Sequence, residues 1–330
     1  MGHNTAQAPF FASSLPPHTP LMNKHILHLA QSRWQLLLAL CLTLLAAASC
    51  DDNSSNIHLG GNTGGQTTVT NNIRARMETP AVLDNGTTLL LSHSTGSGRN
   101  EVMTYSVEYD LQKLHSRWVA FRFDGNTRSR ANGRSDEPFK DDPQLPASYR
   151  IGNNSFRSAG DYDRGHLCAS ADRLYSTEAN EQTFYMTNMS PQLSSFNQCY
   201  WVTLEGLVQR KGRDASFSDT LYVVKGGTIR ADQLNGYASR PNGKRVAIPK
   251  YYYMALLKVK NGVYSSIAFW MEHKDYGYKG NNKAPLSEMK KHVVSVNRLE
   301  QLTGIDFFPN LPDNLEETVE DENLPGSWGL

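Results

Sequence analysis

The run DYDRGHLCASADR, residues 161–173, places one histidine, His166, two residues after an arginine, Arg164. Taken alone, a histidine after Arg-Gly is more often a structural or exposed side chain than a reactive one. Its company changes that. In YMTNMSPQLSSFNQCYWVTLE, residues 185–205, Asn188 and Asn197 are followed by Glu205. The step from Asn197 to Glu205 is a little over two helical turns, so Asn197, Trp201 and Glu205 fall near one face, with the glutamate roughly 12 Å beyond the asparagine. Two groups so far apart do not easily share one ion as direct ligands. The glutamate side chain leans back toward the helix N-terminus, however, and can act through water on the ion.

An asparagine carbonyl is a poor ligand for zinc and a sensible one for magnesium, which keeps most of its waters and needs only a light grip. A neutral ligand leaves the charge of the ion available. Such an ion beside a neutral histidine suits phosphodiester hydrolysis, with His166 removing a proton from water and the metal countering charge on the phosphorus oxygens. Arg164 can hold the scissile phosphate through its planar donor fork.

These groups need a scaffold, and the sequence supplies one. Alternating or β-rich apolar runs at 88–93, 102–110, 117–124, 183–189, 220–227, 246–259 and 264–271 predict strands. Residues 194–212 place Trp201, Leu204 and Val208 at helical spacing, with Ser194 or Ser195 as N-cap and Arg210 and Lys211 in the last turn. A second helix is predicted over 286–304, from Ser287 as N-cap to Gly304 as stop. Strands at hairpin-like spacings with few helices predict an α+β domain on a mostly antiparallel sheet.

The two ends read differently. Residues 34–49, WQLLLALCLTLLAAAS, are about as long as a signal-peptide core, and Lys24 and Arg33 supply its positive flank. We therefore expect translation to start at Met22, with 1–21 a misassigned extension and 22–49 an export signal. Ala47-Ala48-Ser49-Cys50 resembles a bacterial lipobox, which makes Cys50 a lipid anchor; plain signal-peptidase cleavage near Ser49 is the alternative. Residues 50–76, rich in Gly, Asn and Thr, are expected to be a flexible linker, 77–312 the folded domain and 313–330 a solvated acidic tail. Between 78 and 312 there are 29 basic and 24 acidic residues, mildly basic and compatible with a polyanionic partner.

The run DRGH at 163–166, with NMSPQ at 188–192 and FN with WVTLE at 196–205, resembles the DNA/RNA non-specific endonucleases, the endonuclease G type. Upstream and downstream strands and the closing TGIDFFPNLP extend the resemblance over roughly residues 100–312. It implies the ββα-metal (His-Me finger) fold, with His166 as general base, Arg164 on the phosphate and Asn197 as metal ligand. Glu205 and Asp163 then stand in the water shell of the metal, and Asn188 stands near the substrate. It further implies Mg2+ or Mn2+ as cofactor, DNA and RNA as substrates and a homodimer as a candidate assembly. With the lipobox, the protein is expected to be exported and membrane-anchored, in the periplasm or on the cell surface. The rival is a noncatalytic nucleic-acid-binding lipoprotein that keeps the fold alone.

Three smaller readings stay open. Arg122, Arg128, Arg130 and Arg134 lie in a Gly/Asn/Ser-rich loop and either line a phosphate groove or are simply solvated. Tyr251 to Tyr253 read as strand and core sooner than as a base-stacking platform. Cys168 and Cys199, each two residues past a site residue, form a candidate disulfide pinning histidine hairpin to metal helix, with two free thiols as the alternative and a zinc site with His166 the weakest reading.

Overall fold

A computed structural model describes residues 71–136 and 139–330. The signal segment, Met22, the lipobox with Cys50 and most of the linker lie outside the described residues.

The core element is a seven-stranded, wholly antiparallel sheet in the order β1 (Thr88–Thr95), β2 (Val102–Asp110), β3 (His115–Phe123), β6 (Thr220–Gly227), β9 (Tyr251–Lys260), β10 (Val263–Glu272), β11 (Val293–Val294). Its central strands are apolar at nearly every position because both faces are covered. Val119, Phe121 and Phe123 of β3, with Tyr252, Met254 and Leu256 of β9, point to one face, while Trp118, Ala120, Tyr253, Ala255 and Leu257 point to the other. Between those sheet strands come β4 (Tyr162–His166) and β5 (Met189–Leu193), which pair as a separate hairpin, and β7 (Leu234–Ser239) and β8 (Arg245–Pro249), which form another.

Helices close the two faces. A short α1 (Thr177–Gln182) lies in the connection from β4 to β5. Directly after β5 the chain enters α2, which starts as α-helix over Ser194–Phe196, widens to a π turn over Asn197–Trp201 and continues as α-helix over Val202–Arg213. Trp201, Leu204, Leu207 and Val208 of α2 are fully buried on the first sheet face, each contributing about 1.5–3 kcal/mol of burial. Its last turn comes so close that a Cβ at Gly212 would meet the Phe123 ring at 2.3 Å. The other face is covered by α4 (Val296–Thr303), α5 (Asp313–Glu320) and the segment between them, through Val296 and Leu299, Phe307 and Phe308, and Val319. A single-turn α3 (Leu286–Met289) precedes them.

Several expectations need correction. The predicted 286–304 helix is broken into α3, a 3-10 turn, β11 and α4; Ser295, not Ser287, caps α4, and Gly304 stops it in the left-handed conformation at φ 69°. The run 183–189 is not a strand: Tyr185 makes one isolated bridge to Lys140, the 3-10 turn Met186–Asn188 follows, and the pairing of β5 starts at Met189. The run 246–259 is two strands, β8 and β9, parted at Lys250. The acidic tail 313–330 is not solvated. Its α5 buries Val319 and Glu320, Trp328 is fully buried against Phe217, and Ser266 Oγ donates to Val319 O. At the other end Ile73 is already buried, so the packed domain starts before 77 and continues past 312.

Candidate active site

The β4–β5 hairpin and α2 together form a ββα unit, and its register fixes the first three site residues. Asp163 pairs with Gln192, Arg164 with Pro191, Gly165 with Ser190 and His166 with Met189. The period-2 alternation sets Arg164 and His166 on one side of β4, where both meet Phe139: the guanidinium carbon of Arg164 lies 3.7 Å from its ring centroid, and the His166 ring 5.7 Å from it. Gly165 is required because the Gln192 side chain crosses it; a Cβ there would stand 2.0 Å from Gln192 Oε1. β5 is pinned in turn from the sheet, since Ser190 Oγ bonds both His115 Nε2 (2.6 Å) and Tyr252 Oη (2.5 Å).

A cleft of about 590 Å³ opens between β4 and α2, and His166, Arg164, Asp163, Asn197 and Glu205 all line it. The π turn is what brings the last two together. Eight regular helical steps would rotate Glu205 about 80° from Asn197, whereas one inserted residue makes the eight turn like seven and leaves an offset of about 20°. Trp201, expected on that same face, is carried to the core side instead and is fully buried. Val202 and Gln209 continue the cleft face.

His166 rests between aromatic rings, edge-on to Phe184 at 5.2 Å. Its Nε2 is buried and has no hydrogen-bond partner among the described residues. Burial first, then the cations Arg134, Lys225 and Arg164, push its pKa down to about 3. The imidazole is therefore neutral and presents a nitrogen that no described residue satisfies.

Asn197 is oriented from the other strand face. Its Nδ2 donates to Asp163 Oδ2 (3.0 Å), and among the described residues its carbonyl oxygen carries no hydrogen bond. Asp163 also accepts from Gln198 Nε2 (2.7 Å), Ser194 Oγ (3.0 Å) and Arg157 Nη2 (3.2 Å). Partial burial raises its pKa, but the bonds from Asn197, Gln198, Ser194 and Arg157 outweigh that and hold the carboxylate below its ordinary value. Both oxygens are thus engaged in orienting Asn197 and its neighbours, whereas the sequence reading places Asp163 in the water shell of a metal.

Glu205 is shaped by what lies beneath the cleft. Burial pushes its pKa up to about 7, with the Lys225 ammonium pulling it down and the Asp172 carboxylate pushing it up. Lys225 of β6 and Asp172, just after β4, form a fully buried ion pair at 2.6 Å. Asp172 also accepts from Ala169 N (3.0 Å) and Gln209 Nε2 (3.1 Å), so one carboxylate links β6, the segment after His166 and α2.

The donor set fits a hydrated Mg2+ or Mn2+. Asn197 offers one uncommitted carbonyl oxygen and Glu205 an enclosed carboxylate whose raised pKa marks uncompensated charge. Among the described residues no three His, Cys, Asp or Glu side chains come together to cage an ion, as zinc would demand.

Other expected residues lie elsewhere. Asn188, expected near substrate, is fully buried and does not line the cleft. Its Oδ1 accepts from Cys168 N (2.8 Å), and its Nδ2 donates to Cys168 O (2.8 Å) and Thr183 O (2.7 Å), which uses up the amide in holding the chain beyond His166. Cys168 and Cys199 are free thiols, not a disulfide. The first is enclosed in the core, which pushes its pKa up to about 12, and the second points its sulfur at Gly280 O. Of the loop arginines, Arg134 lines the cleft, stacked over Phe184. Arg122 pairs with Asp124 and Arg128 donates to the Ser218 and Asp219 carbonyls. Tyr252 and Tyr253 are core, as read from sequence. Phe139, Arg157, Gln209 and the Lys225–Asp172 pair were not visible in the sequence, where no motif marks them.

A hairpin bearing an imidazole and a guanidinium, a helix bearing amide and carboxylate, and a polar cleft between them have the donor chemistry of a phosphodiesterase site. The family sequence model described as DNA/RNA non-specific endonuclease matches residues 85–314, and the chain belongs to that family. It is 30% identical over 217 residues to a nuclease of Nostoc sp. (strain PCC 7120), covering 66% of this chain and 75% of that one. Human mitochondrial endonuclease G is 28% identical over 218 residues (63% and 68% covered), and nuclease C1 of Cunninghamella echinulata 26% over 242 (69% and 90%). Among solved structures, a chain from the EndoG/EndoGI complex superposes with a TM-score of 0.51 at 23% identity, covering 67% of this chain and 87% of that one, and so shares the fold. The protein is a DNA/RNA endonuclease.

Proposed function

We propose that the protein cleaves both DNA and RNA by general-base hydrolysis, with His166 as the base. The carrying observation is the buried, unpartnered Nε2 of a neutral His166 in the cleft shared by Arg164, Asn197 and Glu205. A nucleophilic water placed between this nitrogen and the phosphorus gives the nitrogen its missing partner and surrenders its proton to it. Arg164, fixed against Phe139, and Arg134, over Phe184, present planar donors to the phosphate oxygens. The arriving phosphate also offsets the positive charges that depress His166, which strengthens it as a base. Asn197, aimed by Asp163, and Glu205 would hold Mg2+ or Mn2+, which when bound supplies charge against the developing oxyanion and leaving group.

Purified protein incubated with plasmid and with RNA, with Mg2+ and with EDTA, tests this reading. His166→Ala is expected to lose at least about a hundredfold in kcat, within the range for a removed general base. A variant that cuts both substrates as fast as wild type would refute the assignment. The reading includes export, with 22–49 removed and Cys50 lipidated, so that the enzyme acts from a membrane surface. Labelled palmitate should enter the wild-type chain and not Cys50→Ser; equal labelling would end the anchor assignment.

A further inference from the structure

Arg164 reaches across the cleft wall to the backbone, where its Nη1 donates to Asn153 O at 2.6 Å. Asn153 belongs to an exposed stretch, 152–155, that has no strand or helix partner of its own. Its carbonyls are nevertheless almost all engaged, and by one source, the tip of the β7–β8 hairpin. Arg240 donates to Ile151 O (3.2 Å), Gly152 O (2.8 Å), Asn154 O (2.7 Å) and Ser155 O (3.0 Å). Lys244 Nζ and Asn242 Nδ2 donate to Arg150 O. Of the six consecutive carbonyls from 150 to 155, five are therefore held by the hairpin tip, and the sixth, Asn153 O, takes Arg164.

Arg240 is suited to this by chemistry and by place. A guanidinium carries five donors in a rigid fork, so one side chain can hold four carbonyls that a lysine could not. It is only 4% exposed, with its guanidinium carbon 4.6 Å from the centroid of the Phe156 ring, and among the described residues it bonds no carboxylate, Asp141 acting on it only from a distance. An ion pair would serve better if the aim were only to bury a cation. The hairpin itself packs Ala238, Val246 and Ile248 against Met186, Met189, Ile151 and Phe156, which roots it on β5 and on the loop.

We infer that Arg240 is a positioning residue for Arg164: it freezes the 150–155 backbone so that Asn153 O sets the guanidinium of Arg164 over the scissile phosphate. The inference rests on Arg164 being the phosphate holder. It carries a consequence for the β7–β8 hairpin, which contributes no side chain to the cleft and yet bears on turnover.

The test is a double-mutant cycle on the full chain with Mg2+, measuring kcat and KM on DNA. Arg240→Lys keeps the charge and loses the fork. A misplacement of about 1 Å at a reacting group can cost about a hundredfold, so Arg240→Lys is expected to lower kcat about ten- to hundredfold in the wild-type background and less than about twofold in an Arg164→Ala background. Lys244→Met, at a half-exposed position, is the milder companion should Arg240→Lys fail to fold; it should lower kcat about threefold, again only when Arg164 is present. Equal losses in both backgrounds, or no loss in either, would overturn the inference while leaving Arg164 as phosphate holder. An Arg164→Ala enzyme as active as wild type would instead overturn the holder assignment and the inference with it.

Discussion

Replacing Lys225 by methionine tests the floor of the cleft. The stem keeps its length and apolar packing, but Asp172 is left fully buried with bonds from Ala169 N and Gln209 Nε2, without its ion-pair partner and with only the more distant Arg213 as a counter-charge. Breaking a buried pair from one side costs about 3–5 kcal/mol, and at about 2–4 °C per kcal/mol for a domain of this size the melting temperature should fall by about 6–20 °C. Replacing both partners, as Lys225→Met with Asp172→Leu, removes the unpaired charge and leaves only Ala169 N–H and the Gln209 amide to lose a partner. The Gln209 amide borders the cleft and can turn to water, so the cost is that of the stranded Ala169 N–H, about 1–3 kcal/mol, and the double variant should melt above the single one. Circular dichroism melts at low and high salt provide the assay, and the loss should persist in high salt because a buried pair is poorly screened. The reasoning fails if Lys225→Met melts with wild type, or if the double variant is less stable than the single. Activity adds a second readout. The ammonium of Lys225 lowers the pKa of Glu205, so its removal should weaken Mg2+ affinity at neutral pH even at temperatures where the variant is folded.

Three further outcomes follow from the geometry. Glu205, with its pKa raised to about 7, must lose a proton to help hold Mg2+; apparent Mg2+ affinity should rise with pH through 7, and Glu205→Gln should flatten that dependence, whereas equal Mg2+ requirements at pH 6 and 8 in the wild type would contradict it. Asn188→Ala strands the Cys168 N–H and two carbonyls, so chemical denaturation should show a loss of about 2–4 kcal/mol with KM for DNA nearly unchanged; a KM effect without a stability loss would restore a substrate role. Glu320 is 2% exposed with Oε1 unpaired, and burial together with Glu300, Glu316 and Asp306 pushes its pKa up to about 8. Its contribution is fully present below the ordinary carboxylate value and is lost as pH rises through 8, so Glu320→Gln should raise the melting temperature at pH 8.5 and much less at pH 5; the opposite order would refute this.

What the sequence showed and what it hid divide along physical lines. β2 and β6 were legible to the residue because their apolar patterns leave no alternative. β4 and β5 were not, since YDRGH and MSPQL carry the chemistry and have little apolar alternation; their pairing depends on Gly165 admitting Gln192 and on His115 and Tyr252 clamping Ser190. Residues 286–304 have helical spacing, but Val293 and Val294 are claimed as an edge strand by β10, a tertiary demand that local pattern does not register. Six acids made 313–330 look solvated and obscured the few apolar groups, Leu315, Val319 and Trp328, that dock it. Motif spacing brought out His166, Arg164, Asn197 and Glu205 but not the role of Asn188, whose amide geometry only the fold discloses.

The site is held together by groups other than the four to which the proposed chemistry is assigned. Asp163 aims Asn197, Asp172 ties α2 to the segment beyond His166, Asn188 holds that same segment from below and Arg240 holds the wall against which Arg164 rests. Each spends its polar capacity on backbone or on a neighbouring side chain, which is why each is satisfied. His166 is the exception, with a buried nitrogen and no partner. A buried polar atom left so costs roughly 1–3 kcal/mol, and the rings of Phe139 and Phe184 pack against this imidazole. The open acceptor therefore lies at the atom that we propose takes a proton from outside the protein, while two of the cations near it, Arg164 and Lys225, are engaged by Asn153 O and Asp172.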